Sequence, residues 1–333
     1  MLNSIQVLRA LAAWLVVFHH FMQLFAFFNS TDSVSNSAFR TILTHGSIGV
    51  DLFFVISGFV IFYAIERKQV SPFIFIRNRL VRIVPAYWFF TALTALVLVY
   101  FPGVIPLTAY APDFMLKSLL FIPTLNPSGI GFFPLLTVGW TLNYEIVFYM
   151  AGFLSLFLSR NASIFVLMFA LVSLQLLSGE LGGGFVFYAN SILYEFLFGV
   201  LVSIAYRRGW LRWISPPLAS LMIFFSIVII GSSVDVVHDP FRFGLPCAIV
   251  LMAVLSLEQY FPNNGLFKRL GDWSYSTYLC HVLVISFVLR WSQLFEIGLL
   301  PSFIVIVALV VLISFVSYEL LERSVLRLVK RYG

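Results

Sequence analysis

An arginine and a histidine stand at the two ends of a nearly apolar stretch, RALAAWLVVFHH, residues 9–20. In a helix, the step from Arg9 to His20 turns through about 1,100°, so both side chains lie on one face, about 16 Å apart along the axis. His19 is rotated by about 100° from that face. Placing an imidazole inside a membrane is energetically unfavourable, so its presence indicates either a catalytic base or a hydrogen bond between helices.

The stretch GVDLFFVISGFVIF, which begins at residue 49, carries a carboxylate close to its start. Asp51 and Gly58 are seven residues apart and share a helix face. Gly58 is suited to close packing of helices. Asp51 could bind a substrate rich in hydroxyl groups or cap the helix, and the residues alone do not separate these roles.

The stretch GWTLNYEIVFY has a polar stripe on an apolar helix. Thr141, Glu145 and Tyr149 follow one another at intervals of four residues. Glu145 could orient a catalytic histidine or accept a hydrogen bond from a sugar hydroxyl. A structural ion pair with a neighbouring helix is an equally good interpretation.

Two later stretches place further titratable groups in apolar surroundings. Glu195 lies in NSILYEFLFG, and His281 follows Tyr275 and Tyr278 at intervals of three in GDWSYSTYLCH. We expect these groups near the middle of the membrane, where Glu195, Tyr275 and His281 could line one cavity and bind the acceptor.

The elements that must position these residues are membrane helices. The chain has 333 residues, of which 61% are hydrophobic and 10% charged, and its mean hydropathy is +1.01, which excludes a soluble globular protein. A helix needs about 20 apolar residues to span a bilayer. We therefore predict an all-α, polytopic membrane protein with about ten spans, near residues 7–28, 47–65, 84–101, 135–158, 162–178, 185–206, 217–231, 243–260, 273–295 and 299–321.

The distribution of positive charge predicts the orientation of these spans. With the N-terminus inside, sixteen of the twenty Lys and Arg residues lie in cytoplasmic connections, so both termini are expected in the cytoplasm. The net charge of +6 follows from this topology, and nucleic acid is not needed as a partner. Arg79 and Arg82 share a face of an inner connection, where they could anchor lipid headgroups or bind an anion.

No linker divides the sequence, so we predict a single membrane domain over residues 1–333 without an appended soluble domain. The two cysteines, Cys247 and Cys280, have no spacing typical of a metal site, and we expect no metal.

Five motifs in order, RALAAWLVVFHH, GVDLFFVISGFVIF, RLVRIVPAYW, WTLNYEIVFY and GDWSYSTYLCH, resemble the acyltransferase 3 family from about residue 5 to 323. The resemblance implies a ten-helix membrane enzyme that O-acylates carbohydrates, commonly from acetyl-CoA. It implies that His20, separated by ten residues from Arg9, is catalytic, that Arg79 and Arg82 belong to the acyl-donor site, and that Glu145 is functional. We expect no esterase-like domain of the kind that some relatives carry, and Ser324 stands where many have proline.

The resemblance therefore implies transfer of an acyl group, with acetyl as the default, from acyl-CoA on the cytoplasmic side to a hydroxyl of a cell-envelope or exported carbohydrate. Exopolysaccharide and lipopolysaccharide are the expected acceptors. The expected location is the bacterial inner membrane. Lipids are the expected partners, the polysaccharide-biosynthesis machinery is a candidate partner, and no permanently bound cofactor is expected. The arginines on the inner side, Arg9 among them, suit the phosphates of coenzyme A.

His20 could take a proton from the acceptor hydroxyl directly or carry the acyl group as an acyl-histidine, and both mechanisms stay open. A function from another class is a transporter or flippase of glycans, in which His20, Glu145 and Glu195 would relay protons. A scaffold in an export assembly is a third, but it would leave the histidine without a role.

Overall fold

The computed structural model describes residues 2–29, 37–67, 71–234, 238–261 and 265–332. Within these ranges the chain forms helices joined by loops, without a strand, which confirms the all-α prediction. The α-helices are α1 (Asn3–Asn29), α2 (Ser37–His45), α3 (Ile48–Arg67), α4 (Pro72–Tyr100), α5 (Pro112–Leu119), α6 (Trp140–Ser155), α7 (Arg160–Leu181), α8 (Leu193–Arg207), α9 (Pro216–Gly231), α10 (Leu245–Ser256), α11 (Gly265–Leu294), α12 (Leu299–Ser317) and α13 (Ser324–Tyr332).

Short helical turns connect several of these helices in the described ranges. The 3₁₀ turns are Thr137–Gly139, Gly183–Ala189, Trp210–Trp213 and Glu258–Tyr260, and the π turns are Pro240–Gly244 and Tyr318–Arg323.

Six helical segments in the described part of the chain are long and apolar enough to cross a membrane, or seven if the bent pair Gly183–Ala189 and Leu193–Arg207 forms one span. This identifies a multi-pass membrane protein but does not confirm ten spans. Three predicted spans correspond to shorter helices, namely α6 and α9 with 16 residues each and the apolar segment Pro240–Ser256. A helix of 16 residues is about 24 Å long, less than the roughly 30 Å of a bilayer core.

The outer surface agrees with a lipid environment. On α7, Phe165 and Phe169 lie one turn apart and are 72% and 73% exposed. On α9, Phe224 and Phe225 are also exposed. Large exposed apolar surfaces are rare on soluble monomers, so these side chains are expected to contact lipid tails.

The chain divides into two compact units, and five helices, α1, α2, α4, α6 and α11, contribute residues to both. Unit 1 comprises Met1–Val16, Thr44–Ile76 and Tyr144–Asp272. Unit 2 comprises Val17–Leu43, Arg77–Asn143 and Trp273–Gly333. The prediction of a single membrane domain over residues 1–333 stays a prediction.

Unit 1 is built around the close packing of α3 on α8. A Cβ atom on Gly58 would lie 2.1 Å from the carbonyl oxygen of Phe196, and one on Gly199 would lie 2.0 Å from that of Val55. Only glycine allows such an approach of two backbones, which confirms the packing role predicted for Gly58. Helix α10 packs against both, and its Leu251 is fully buried.

The two helices run in the same direction, and each end of the pair carries charged groups. At their C-terminal ends Arg207 lies 2.5 Å from the carboxylate of Glu66, with both side chains partly buried. At their N-terminal ends Asp51 and Glu195 occupy the first helical turns of α3 and α8. Both carboxyl groups are fully buried.

The first turn of α1, also in unit 1, is capped by a distant carboxylate. The amides of Asn3 and Ser4 donate to Glu258 at 2.7 and 3.1 Å. The side chain of Gln6 donates to Asp272 at 2.5 Å. These bonds satisfy amides that a helix start leaves unpaired, and the negative charge suits the positive end of the helix dipole.

In unit 2, hydroxyl groups join α11 to α12. Ser276 hydrogen-bonds to Ser317 at 2.8 Å and to the buried carboxylate of Glu322 at 2.6 Å, and Thr277 donates to Ser314 at 2.9 Å. Such hydroxyl bonds are the usual connection between helices in lipid, where apolar side chains gain little by meeting each other.

The π turn that follows α12 explains the serine at position 324. The hydroxyl of Ser324 donates to the carbonyl oxygen of Glu319, five residues earlier, at 2.7 Å. A proline has neither an N–H nor a hydroxyl to give, so it would leave this carbonyl without the bond. The hydroxyl of Ser324 therefore has a local structural role in this turn.

Candidate active site

The histidine singled out on α1 meets a second histidine within unit 2. Nδ1 of His20 lies 3.1 Å from Nε2 of His281 on α11, and the ring centroids are 5.0 Å apart. His281 is fully buried, whereas His20 is only partly buried. The two residues are 261 positions apart in the sequence. The structure thus joins one predicted catalytic residue to one predicted cavity residue.

The second bond of His281 determines which nitrogen of each ring carries a proton. Nδ1 of His281 lies 3.2 Å from the carbonyl oxygen of Thr277, which can only accept, so this Nδ1 is the donor. In a neutral ring, Nε2 of His281 then has the lone pair and accepts from Nδ1–H of His20. The lone pair of a neutral His20 therefore lies on Nε2. A general base needs a lone pair of this kind to take a proton.

A tyrosine on α11, Tyr278, lies beside this pair and bonds to the segment before α6. The hydroxyl of Tyr278 donates to the carbonyl oxygen of Val138 at 2.8 Å and lies 3.0 Å from the hydroxyl of Thr141. The ring of Tyr278 is 5.8 Å from that of His281. Helix α11 is thereby tied to the segment that leads into α6, all within unit 2.

The predicted donor-binding arginines belong to the same unit. Arg79 and Arg82 lie on α4 and are partly buried. One residue beyond Arg82, the carbonyl of Ile83 accepts a hydrogen bond of 2.8 Å from Tyr275 on α11. Tyr275 precedes His281 by six residues, about 9 Å along the helix. Tyr275 thus links the helix that carries the arginines to the helix that carries His281.

Two other predicted site residues belong to unit 1. Arg9 is buried, with 7% of its surface exposed, and α1 is continuous from Asn3 to Asn29, so Arg9 and His20 lie on one helix. Glu145 lies on α6 and accepts a hydrogen bond from the hydroxyl of Tyr149, one turn later. The roles of Arg9 in donor binding and of Glu145 in catalysis stay predictions.

Asp51 and Glu195, predicted as acceptor or cavity residues, are brought together in unit 1, and a histidine that the sequence analysis missed joins them. Nδ1 of His238 lies 2.8 Å from Oδ2 of Asp51. The sequence feature that could have drawn attention to His238 is the Asp239–Pro240 pair that follows it, which is typical of a helix start. Asp239 indeed caps the following turn through two backbone amides.

Comparison with known proteins agrees with this chemistry. A family profile described as "Acyltransferase domain" (Acyl_transf_3) matches residues 2–319. The chain is 34% identical over 297 residues to "Exopolysaccharide production protein ExoZ" of Rhizobium meliloti (strain 1021), a match that covers 85% of this chain and 90% of that protein. It is 27% identical over 325 residues to "Acyltransferase MdmB" of Streptomyces mycarofaciens, covering 86% and 79%.

No solved structure matches the chain. The family profile covers nearly the whole chain, and the multi-pass helical fold agrees with it. The chain therefore belongs to the acyltransferase 3 family and is a membrane-embedded O-acyltransferase.

Proposed function

We propose that this O-acyltransferase moves an acetyl group from acetyl-CoA to a hydroxyl of an exported carbohydrate, with His20 as the general base. The observation that carries the proposal is the bond between His20 and His281, which leaves the lone pair of His20 on Nε2.

In the proposed reaction, Nε2 of His20 takes the proton of the acceptor hydroxyl while that oxygen attacks the thioester carbonyl. The imidazolium formed on His20 is stabilised by its hydrogen bond to the neutral ring of His281. When the tetrahedral intermediate collapses, the C–S bond breaks and the leaving thiolate takes the proton from His20. The ester and coenzyme A are the products, and no proton is gained or lost overall.

The same nitrogen could instead attack the thioester and carry the acetyl group as an acyl-imidazole before the acceptor enters. The two routes differ in one measurable species. Incubation of the enzyme with labelled acetyl-CoA and no acceptor would load label onto His20 only in the covalent route, and peptide mass spectrometry would locate it.

For the donor we propose that Arg79 and Arg82, together with Arg9, bind the phosphates of coenzyme A. Guanidinium groups match phosphate oxygens in pairs and stay charged when partly buried. The proposed donor side is the cytoplasm, with ten spans and both termini inside, because most Lys and Arg residues then face inward.

For the acceptor we propose a sugar hydroxyl of an exopolysaccharide unit, with lipopolysaccharide as the other envelope glycan to examine. Support comes from the relative named for exopolysaccharide production, which matches most of this chain. The proposed location is a bacterial inner membrane, beside the polysaccharide-biosynthesis machinery.

The direct experiment compares purified wild type with His20→Ala, using radiolabelled acetyl-CoA and a glycan extract from the cell envelope. We expect label in carbohydrate with wild type and none with His20→Ala. His45→Gln is the matched control, since His45 bonds to the carbonyl of Ser233 in unit 1 and has no proposed part in transfer. Equal transfer by wild type and His20→Ala would refute the role of His20.

The donor proposal is tested by Arg79→Ala combined with Arg82→Ala. We expect a higher KM for acetyl-CoA with a smaller change in kcat, because phosphate contacts act on binding. Arg212→Ala, an exposed arginine of the short turn before α9, is the control. An unchanged KM would mean that Arg79 and Arg82 only anchor lipid.

A further inference from the structure

Unit 1 contains a buried acidic site that the proposed reaction does not use. Asp51 and Glu195 have no exposed surface and belong to neighbouring helices, α3 and α8. The carboxyl group of Glu195 interacts with that of Asp51. Ionisable groups in apolar membrane segments are costly, so each is a candidate for a functional site.

Within the described residues, most oxygen atoms of the two carboxyl groups accept no hydrogen bond. Oδ2 of Asp51 has a partner, the ring of His238 at 2.8 Å. In the described part of the chain, no N–H or O–H reaches Oδ1 of Asp51 or either oxygen of Glu195. A buried carboxylate without a donor loses its hydration and gains nothing in return. The site therefore has more hydrogen-bond acceptors than donors, and what it lacks is a hydrogen atom that these oxygens can accept.

The packing closes the site around Glu195. The glycine that ends the π turn, Gly244, touches this side chain so closely that an added Cβ would lie 2.6 Å from Cγ and 3.1 Å from Oε1 of Glu195. Cys247, which follows on α10, is buried and interacts with both carboxyl groups. The backbone at Gly244 thus packs directly against the Glu195 side chain, and the little space that is left there favours a very small ligand.

The charges around the site decide which small ligand fits. Asp51 and Glu195 lie in the first turns of their helices, and the positive ends of helix dipoles stabilise negative groups and oppose a metal cation. One shared proton leaves the pair with a single negative charge, which the helix dipoles still stabilise, and it gives one carboxyl group an O–H that can donate to the other. Two buried carboxyl groups in contact share one proton more readily than they ionise together.

We propose that Asp51 and Glu195 together bind one proton, and that His238 exchanges this proton with the surroundings. The side chain of His238 is 20% exposed, while that of Asp51 is fully buried, so the imidazole is the outer member of the chain His238–Asp51–Glu195. The titratable groups that face the site come from four elements: Asp51 of α3, Glu195 of α8, His238 and Asp239 of the segment before α10, and Cys247 of α10.

The bound proton makes the stability of unit 1 depend on pH with a definite sign. A glutamate in an unfolded chain has a pKa of about 4.3, so at neutral pH unfolding releases the proton. The native state then binds more protons than the unfolded state, and unfolding becomes easier as pH rises. The unfolding equilibrium constant increases by up to about tenfold per pH unit while the native site keeps its proton.

Infrared spectroscopy of the purified protein tests the proposal without substrates, so the result is independent of the acyl transfer. At pH 7 we expect the C=O stretch of a protonated carboxyl group in wild type and in Glu180→Gln, which alters an exposed carboxylate of α7. The band should disappear in Glu195→Gln, whose amide N–H replaces the proton toward Asp51. It should also disappear in Asp51→Asn, whose amide can donate to an ionised Glu195.

Absence of the band from wild type, or its full retention in Glu195→Gln, would overturn the proposal. Labelling all glutamate carboxyl groups of the wild type with ¹³C identifies the residue type even if neither variant folds. The C=O band moves to a lower frequency with this label only if it belongs to a protonated glutamate. A shift on aspartate labelling as well is expected for a shared proton. In His238→Gln the band should persist, but its exchange with deuterium should slow, and unchanged exchange would remove His238 from the path.

Discussion

The bond between His20 and His281 gives a quantitative prediction for His281→Leu. Leucine fills most of the space of the imidazole but accepts no hydrogen bond, so Nδ1–H of His20 loses its partner at 3.1 Å. The carbonyl of Thr277 loses a donor too, but it lies inside α11, where carbonyls already accept from the helix backbone. The variant therefore tests the histidine pair with little change elsewhere.

The size of the effect follows from the change in charge during the reaction. A neutral hydrogen bond contributes about 0.5–1.5 kcal/mol and one to a charged group about 1.5–3 kcal/mol. Only the strengthening that occurs as His20 becomes an imidazolium lowers the barrier. That difference, about 1–2 kcal/mol, corresponds to a five- to thirtyfold lower kcat. Loss of the preferred tautomer of His20, which His281 selects, lowers kcat further.

The assay measures the initial rate of labelled acetyl transfer, together with release of the free thiol of coenzyme A. We expect kcat to fall in His281→Leu while KM for acetyl-CoA stays the same, and His281→Gln, whose side-chain oxygen can accept from His20, to recover much of the activity. His45→Leu is the control for loss of a histidine. Activity of a folded His281→Leu within about twofold of wild type would refute the orienting role, as would a folded His281→Gln that is no better than leucine.

Three further predictions concern stability, each measured as the apparent melting temperature of the purified protein. Gly58→Ala should cost about 1–3 kcal/mol or more, because its methyl group would lie 2.1 Å from a backbone oxygen of α8, whereas Gly179→Ala meets open space and should not lower the melting temperature. Equal melting temperatures would contradict the interlocked packing. Ser276→Ala removes a donor from the buried carboxylate of Glu322 and should cost about 1–2 kcal/mol; no loss would mean that water replaces it. Arg207→Ala breaks a partly buried ion pair with α3 and should cost about 1 kcal/mol, with Arg207→Lys in between, and identical values for all three proteins would make that pair energetically silent.

The properties that a sequence expresses locally were predictable. Hydropathy is a sum over neighbouring residues, so it identified a multi-pass helical membrane protein. The spacing of Arg9 and His20 depends only on helix geometry, and one continuous helix contains both. Gly58 was recognised as a packing residue because close approach of helices requires a small side chain.

The partners of these residues were not predictable, because periodicity describes one helix and not the helix opposite. His281 lies 261 residues from His20, and His238 lies 187 residues from Asp51. Hydropathy alone did not confirm the number of spans, since prolines shorten some of the apolar helices that correspond to predicted spans. Pro216 begins α9, and the π turn that begins at Pro240 precedes α10.

The interlocked glycines of α3 and α8 also restrict motion. A slip of one helix along the other by one turn, about 5.4 Å, would place Phe54 or Phe62 where Gly58 now meets the backbone of α8. No side chain of that size fits there, so the register of this pair is locked against ratcheting. Spectroscopic probes attached to these two helices should therefore report one constant separation throughout the catalytic cycle. This separation can serve as the reference distance when movements of other helices are measured.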